Sequence, residues 1–337
     1  MPPYLMRRKP SGFGKSARSE KNMKRLLFIY NPASGRGTIK AHIDPLLEIF
    51  EDAGYLVDIM RIQGNFPEGG RDLVAERGIK YDRVVCSGGD GTLNHVVSSI
   101  MKIQKDERPV IGFIPTGSTN DTGRSLDLPR EVEKAGRMVV EGEPFSADIG
   151  RLNDQFFTYV GCFGEISAVS AFTPQEAKKL FGRAAYIGEG IRAALRMKAN
   201  HLKCVYDEGN SFEGDFLIGM ISNSNSVGGF SGLMGKDIDL QDGLFEAAFV
   251  KRPANLNELK MIMDCLFISK KEAVNENGPL VLRFKASRIK ISSFEDIQWV
   301  KDGEDAGRIR NVEIVNENRA VRIITGPKLY EEIQASE

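Results

Sequence analysis

Three times within its first 121 residues the chain runs a short apolar stretch into a turn crowded with glycine and small polar residues. Residues 24–30 lead into Asn31-Pro32-Ala33-Ser34-Gly35-Arg36-Gly37, residues 83–86 into Ser87-Gly88-Gly89-Asp90-Gly91-Thr92-Leu93-Asn94, and residues 110–114 into Pro115-Thr116-Gly117-Ser118-Thr119-Asn120-Asp121. The second turn opens residues 93–100, which read as a helix. Strand, turn and helix repeated in this way imply a parallel sheet with both faces covered, and such a sheet gathers its turns at one edge, where ligands sit. Glycines let the backbone approach a ligand closely, and the free N–H groups of a helix start attract phosphate. Asp90 would repel bare phosphate but not a phosphate carrying Mg²⁺. Any one of these turns is explained by the ordinary demand of tight turns for glycine. Three at one edge point instead to a metal–nucleotide site.

The alternation continues to about residue 150. Residues 39–53 place Ile43, Leu46, Leu47 and Phe50 on one helical face before Gly54, residues 55–62 read as a strand, 71–77 as a short helix, and 131–140 as another. The texture changes near Asp148-Ile149-Gly150. Residues 156–164 are β-rich and 175–197 carry Ala and Leu at helical spacing. Short strands are expected at 201–206, 214–222, 244–251, 280–292 and 311–324, with one helix at 256–268. The expected fold is α/β. Residues 23–150 form a doubly wound parallel-sheet nucleotide-binding domain, and a C-terminal antiparallel β-sandwich-like domain follows from residue 151.

At 337 residues the chain is long enough for two domains, and 41% apolar with 27% charged residues is ordinary for a globular protein. Its zero net charge hides an asymmetry. Residues 1–25 hold eight Lys and Arg against Glu20 alone, a local charge of +7, so the other 312 carry −7. Residues 1–22 read as a disordered basic leader, with translation expected to begin at Met23. Gly14-Lys15-Ser16 lacks the upstream glycine and the strand that a P-loop needs. No stretch has the roughly 18–20 apolar residues of a membrane span, and no signal-peptide core is present. Cys86, Cys162, Cys204 and Cys265 have no metal-ligand spacing and read as buried thiols of a cytoplasmic protein.

The three turns, in this order, resemble the motifs of the diacylglycerol kinase catalytic domain, with the closest likeness to soluble bacterial lipid kinases of the diacylglycerol and sphingosine kinase-like branch. Asp239-Leu240-Gln241-Asp242-Gly243-Leu244 and Asp302-Gly303-Glu304 extend the resemblance past residue 304. It implies a two-domain layout in which residues 151–310 form the lipid-substrate domain and 311–337 return to the first domain. It also implies an ATP- and Mg²⁺-dependent kinase that transfers the γ-phosphate to a lipid hydroxyl.

The nucleotide is then held by Asn31, Ser34, Gly35, Gly88, Gly89, Asp90, Gly91, Thr92, Leu93, Asn94 and Ser118. The resemblance places Asp90, Asp121 and Asp148 in a water-linked network around the catalytic Mg²⁺, against bland readings of Asp121 as a helix cap and Asp148 as a turn residue. It makes Asp302 the base that takes the proton of the lipid hydroxyl, oriented by Glu304; without the resemblance, Asp-Gly there reads as a hairpin turn. Asp239 and Asp242, with the Leu244 carbonyl, match a second, structural metal site, for which a surface turn is the competing reading.

Some positions depart from the family pattern: His95 stands where Glu is commoner, Thr122 replaces an aromatic residue, and Ser118-Thr119 replaces the commoner Thr-led pair. The expected partner is a lipid met at the inner membrane face through peripheral contact, with no nucleic acid and a homodimer left open. The residues leave three readings in play: a lipid kinase, a kinase of NAD or a sugar phosphate, and a non-catalytic nucleotide or lipid sensor. They do not choose between diacylglycerol and other lipid alcohols, or between ATP and GTP.

Overall fold

The computed structural model describes residues 5–8, 23–62, 70–164, 198–207, 209–224, 226–227, 230–231, 238–268, 273–275, 277–327, 329 and 331. The helical stretch expected at 175–197 lies outside them.

In chain order the first half comprises β1 (Leu5–Arg8), β2 (Lys24–Tyr30), a 3₁₀ segment (Ser34–His42), α1 (Ile43–Asp52), β3 (Tyr55–Arg61), α2 (Gly70–Gly78), β4 (Arg83–Gly88), α3 (Asp90–Ile100), β5 (Val110–Pro115), α4 (Asp121–Ser125), α5 (Val132–Glu141) and β6 (Pro144–Leu152). Strands β3, β2, β4 and β5 lie side by side and all parallel, Leu26 opposite both Val57 and Arg83, and Cys86 opposite Phe113. The near-continuous apolar strands expected of such a sheet follow from burial on both faces. One face packs α1 and α5 through Leu46, Leu47, Phe50, Ala135 and Val139; the other packs α3 through Leu93, Val96, Val97 and Ile100. Within the leader expected to be disordered, β1 pairs antiparallel with β3, Leu5 opposite Met60. The exposed edge of β3 offers unpaired backbone groups, and four residues are enough to use them.

The second half comprises β7 (Gln155–Phe157), β8 (Val160–Gly164), β9 (Asn200–Tyr206), β10 (Asn210–Ser222), β11 (Ser226–Val227), β12 (Phe230–Ser231), β13 (Phe245–Lys251), α6 (Leu256–Met263), β14 (Val274–Asn275), β15 (Gly278–Pro279), β16 (Val281–Ala286), β17 (Arg288–Lys301) and β18 (Glu304–Ile324). The fold is α/β as expected, with a strand-rich C-terminal half. What periodicity could not show is that both halves share one hydrogen-bonded sheet of 14 strands, running β1-β3-β2-β4-β5-β18-β17-β8-β10-β13-β16. The 21-residue β18 is the splice. It pairs antiparallel with β17 at one end and parallel with β5 at the other, Ile323 opposite Ile111. The boundary expected at residue 150 falls inside β6, which runs antiparallel beside β18.

Between β10 and β17 a single slot is filled first by β8 and then by β9, so the two are successive pieces of one strand position. The interior of this half is aromatic: Phe157, Phe163, Phe216, Phe245, Phe249 and Trp299 are all fully buried. Their rings lie over strand glycines, and a β-carbon on Gly150 would collide with Phe157 and one on Gly219 with Phe163. The strand expected over 280–292 is broken into β16 and β17 at Ser287, where Asp207 accepts the N–H groups of Ser287 and Arg288, both at 3.0 Å. All four cysteines are buried and free. No helix among the described residues is long and apolar enough to cross a membrane.

Candidate active site

The ends of β2, β4 and β5 meet backbone to backbone. The N–H groups of Thr116 and Gly117 both donate to the Gly88 carbonyl, at 2.8 and 3.0 Å, and Asn31 N–H donates to the Ser87 carbonyl at 3.1 Å. A β-carbon on Gly117 would collide with the Cα of Gly89, and one on Gly88 with the Thr92 side chain. Only glycine permits this approach. Asn120, in the left-handed region at φ 52°, accepts from Gly117 N–H and donates back to the Gly117 carbonyl, both at 2.9 Å.

Asp90 fastens two of these loops together. Its Oδ2 accepts the N–H of Asp121 at 3.1 Å and its Oδ1 that of Thr122 at 3.0 Å, so it caps α4 from another segment. Asp121 is buried beside it, with Arg124 at 4.0 Å. Burial pushes the Asp90 carboxyl above its ordinary value; the two N–H groups pull it down and the Asp121 charge pushes it up again. A buried carboxylate and a half-buried one in each other's field suit a hard divalent cation.

Beside them opens a cleft of about 350 Å³ lined by Thr38, Thr116, Ser118, Thr119, Arg124 and Arg130. Of the residues expected to hold a nucleotide, Ser118 lines this cleft. Asn31 caps its own turn, its Oδ1 accepting Ala33 N–H at 3.0 Å. Leu93 is core, and Thr92 packs on Gly88. Arg124 and Arg130, two cations at a cleft suited to phosphates, escaped the sequence reading because isolated arginines carry no spacing signature.

The β17–β18 turn reaches the start of α3 from the other half of the chain. Asp302 and Gly303 both have positive φ, 48° and 80°, as a two-residue hairpin turn requires. The hairpin reading of Asp302 therefore holds. Its carboxylate is buried and takes five hydrogen bonds. Oδ2 accepts Thr158 N–H at 2.6 Å, Asn94 Nδ2 at 2.7 Å and the Thr158 hydroxyl at 2.9 Å, while Oδ1 accepts Tyr159 N–H at 3.0 Å and Val160 N–H at 3.1 Å. Burial pushes this carboxyl up, and the donors of Thr158, Tyr159 and Val160 act against it.

The Asn94 contact joins α3 to a turn 208 positions away. Asn94 also donates to the Phe156 carbonyl at 3.0 Å, and Lys301 Nζ donates to its Oδ1 at 3.3 Å. Expected to face a nucleotide, Asn94 instead holds the turn. Glu304 Oε1 lies 3.6 Å from His95 Nε2 and packs on Gly91, where a β-carbon would stand 2.7 Å from it.

Asp148 takes its hydrogen bonds from segments other than the Asp90 and Asp121 loops. It lies within β6, and its carboxylate accepts Gly243 N–H at 2.7 Å, Arg319 N–H at 2.7 Å and Asn318 Nδ2 at 3.0 Å. The cause is an irregularity in β18 between Glu317 and Val321, where Arg319 has φ 48° and its N–H turns out of the ladder toward Asp148. Asp148 thus braces the loop that carries Asp239 and Asp242. There Asp239 accepts Gln241 N–H and Asp242 accepts Leu244 N–H, both at 2.9 Å. Each carboxylate keeps one oxygen clear of the loop's own N–H groups, which suits an oxygen-seeking cation, although Lys285 Nζ already stands 3.6 Å from Asp242 Oδ2. Among the described residues no three His, Cys, Asp or Glu side chains converge.

Comparison with known proteins agrees with this geometry. Residues 25–152 match the diacylglycerol kinase catalytic domain family. Proteins named diacylglycerol kinase from Staphylococcus aureus strains JH9 and Newman are each 37% identical over 288 residues, covering 85% of this chain and 88% of theirs. A crystal structure of a diacylglycerol kinase from Bacillus anthracis strain Sterne is 22% identical, with a TM-score of 0.69 over 91% of this chain and 99% of that one. The structure of yeast NADH kinase complexed with NADH shares the fold more loosely, at 13% identity and a TM-score of 0.51 over 91% and 85%. With more than a third of 288 positions shared across most of both chains, and the catalytic-domain family matched over residues 25–152, this chain belongs to the diacylglycerol kinase family and is a kinase.

Proposed function

We propose that the chain transfers the γ-phosphate of Mg²⁺-bound ATP to the hydroxyl of diacylglycerol or a closely related lipid, meeting it at a membrane surface. The observation that carries this reading is the 2.7 Å bond from Asn94 to Asp302, which fixes the candidate base to the helix that opens at the phosphate loop. Phosphoryl transfer asks for positioning, charge neutralisation and a proton acceptor, and the loops and the Asp302 turn offer candidates for each. Arg124, Arg130 and Ser118 line the cleft for the nucleotide, and Asp90 and Asp121 would hold the catalytic Mg²⁺. That ion, when bound, neutralises charge on the phosphates.

Asp302 receives the proton of the acceptor alcohol. Four of its five donors are backbone N–H groups or an amide fixed by other bonds. The Thr158 hydroxyl is a freely rotating side-chain donor, so the substrate hydroxyl replaces it at Oδ2. Burial that raises the Asp302 carboxyl makes it a better acceptor at neutral pH. Glu304, on the phosphate-loop side beside Gly91, keeps the turn registered against that loop. Asp239, Asp242 and the Leu244 carbonyl would hold a structural cation in competition with Lys285.

The test is Mg²⁺-dependent transfer from labelled ATP to diacylglycerol and other lipid alcohols in mixed micelles, with NAD and sugar phosphates as soluble acceptors. Labelled lipid supports the reading. Label on a soluble acceptor alone, or tight ATP binding with no product on any acceptor, contradicts it.

A further inference from the structure

Asn94 is held from both ends, and the second hold comes from a residue outside every motif read in the sequence. Its amide nitrogen donates to Asp302 Oδ2 at 2.7 Å and to the Phe156 carbonyl at 3.0 Å. Its amide oxygen accepts Lys301 Nζ at 3.3 Å and the Ser98 hydroxyl at 3.4 Å. Turned over, the amide would set its oxygen against two acceptors and its NH₂ group against an ammonium, so the contacts agree on one orientation. Lys301 and Asp302 are neighbours in the chain, and successive side chains of a strand point to opposite faces. Both reach the same amide where β17 ends, the chain leaving strand geometry at Asp302 with φ 48°.

Lys301 is only 7% exposed. Long cationic side chains ordinarily carry their charge to water, and a buried ammonium is costly unless it is paired. Among the described residues no carboxylate forms an ion pair with it, and its hydrogen bond ends on the Asn94 oxygen. Glu304 stands opposite it across the hairpin, but the Glu304 carboxylate lies toward Gly91 and His95. The buried charge is therefore directed at one neutral amide, whose other end makes the shortest side-chain bond to the candidate base.

We propose that Lys301 is a positioning residue for phosphoryl transfer: its ammonium locks and polarises the Asn94 amide, which in turn keeps Asp302 Oδ2 aimed at the acceptor alcohol. The inference rests on the base reading of Asp302 above. A positive charge at the oxygen end of an amide strengthens its N–H as a donor, and low local dielectric enlarges such coupling. No bond to Lys301 forms or breaks; the alcohol's proton goes to Asp302, and the nucleoside diphosphate leaves.

The test is a double-mutant cycle on phosphorylation of diacylglycerol by ATP in mixed micelles. Wild type, Lys301→Met, Asn94→Ala and the double variant are compared, each checked for folding by thermal melt. Lys301→Met keeps the apolar stem and removes the ammonium. It lowers kcat by about 10-fold, with the lipid KM and the ATP Kd changed by less than ~3-fold. In the Asn94→Ala background the same substitution changes kcat by less than ~2-fold, because the path to Asp302 is already cut. Should Lys301→Met melt below the assay temperature, Lys301→Gln, polar but too short to make the bond, takes its place in the cycle. Equal loss in both backgrounds, an unchanged kcat, or a loss carried by KM alone overturns the proposal. A wild type that phosphorylates no lipid, or a fully active Asp302→Asn, strikes instead at the reading on which it rests.

Discussion

Asp90 and Asp302 are built by the same device, a carboxylate that accepts backbone N–H groups from a distant segment, yet they are tuned differently. Asp90 takes two N–H groups at the start of α4 and shares its surroundings with a second acid, Asp121. Asp302 takes five donors, has no second carboxylate among the causes of its shift, and is buried. A pair of acids with few donors gains from a metal ion. A single acid with many donors is held in one geometry, and burial raises its appetite for a proton. On the proposed reading, the difference between a cation site and a base lies in what surrounds the carboxylate, since the residue type is the same.

The largest effect is expected where the comparison is broken outright. Asp302→Asn sets an amide NH₂ against N–H donors as well as removing the base. It lowers kcat by about 10²–10⁴ and costs about 2–3 kcal/mol of stability, read in steady-state kinetics and in denaturant melts. Asp90→Asn keeps an oxygen for one of the two α4 N–H groups, so stability falls by about 1 kcal/mol or less. Its kcat falls by about 10²–10³, and the concentration of Mg²⁺ for half-maximal rate rises; an unchanged Mg²⁺ dependence would remove Asp90 from the metal site.

Thr158→Val sharpens the contrast more gently. The hydroxyl favours the ionised form of Asp302, so its loss moves that carboxyl further up. The base works deprotonated, so the acidic limb of the pH–kcat/KM profile, which reports the free enzyme, shifts to higher pH, while the neutral-pH rate changes by about threefold or less. A limb that stays in place would separate Asp302 from the proton transfer. The smallest effect belongs to the Asp239–Leu244 loop, where chelation or Asp242→Asn lowers the melting temperature by about 1–3 °C without a change in kcat.

How much of this was legible in the sequence follows a physical line. Strand–glycine–helix units announce themselves through local periodicity and turn chemistry, so β2, β4, β5 and their loops stood where expected. The Asp-Gly turn was also legible, since only a few residues tolerate two successive positive φ values. What sequence could not tell is which side-chain oxygen meets which distant N–H. Asn94 looks like a nucleotide ligand until a turn 208 positions away claims its amide. Asp148 looks like the third member of a metal network until the irregularity at Arg319 supplies nearer donors.

On the proposed reading, the Asp302 turn acts on chemistry rather than on nucleotide capture. Its most direct test follows lipid phosphorylation and ATP affinity side by side in wild type and Asp302→Asn, each confirmed folded at the assay temperature. The account predicts that wild type alone forms phosphorylated diacylglycerol at an appreciable rate, while both bind ATP with dissociation constants within about threefold of each other. Equal turnover by the two, or lost ATP binding in a folded variant, would contradict it.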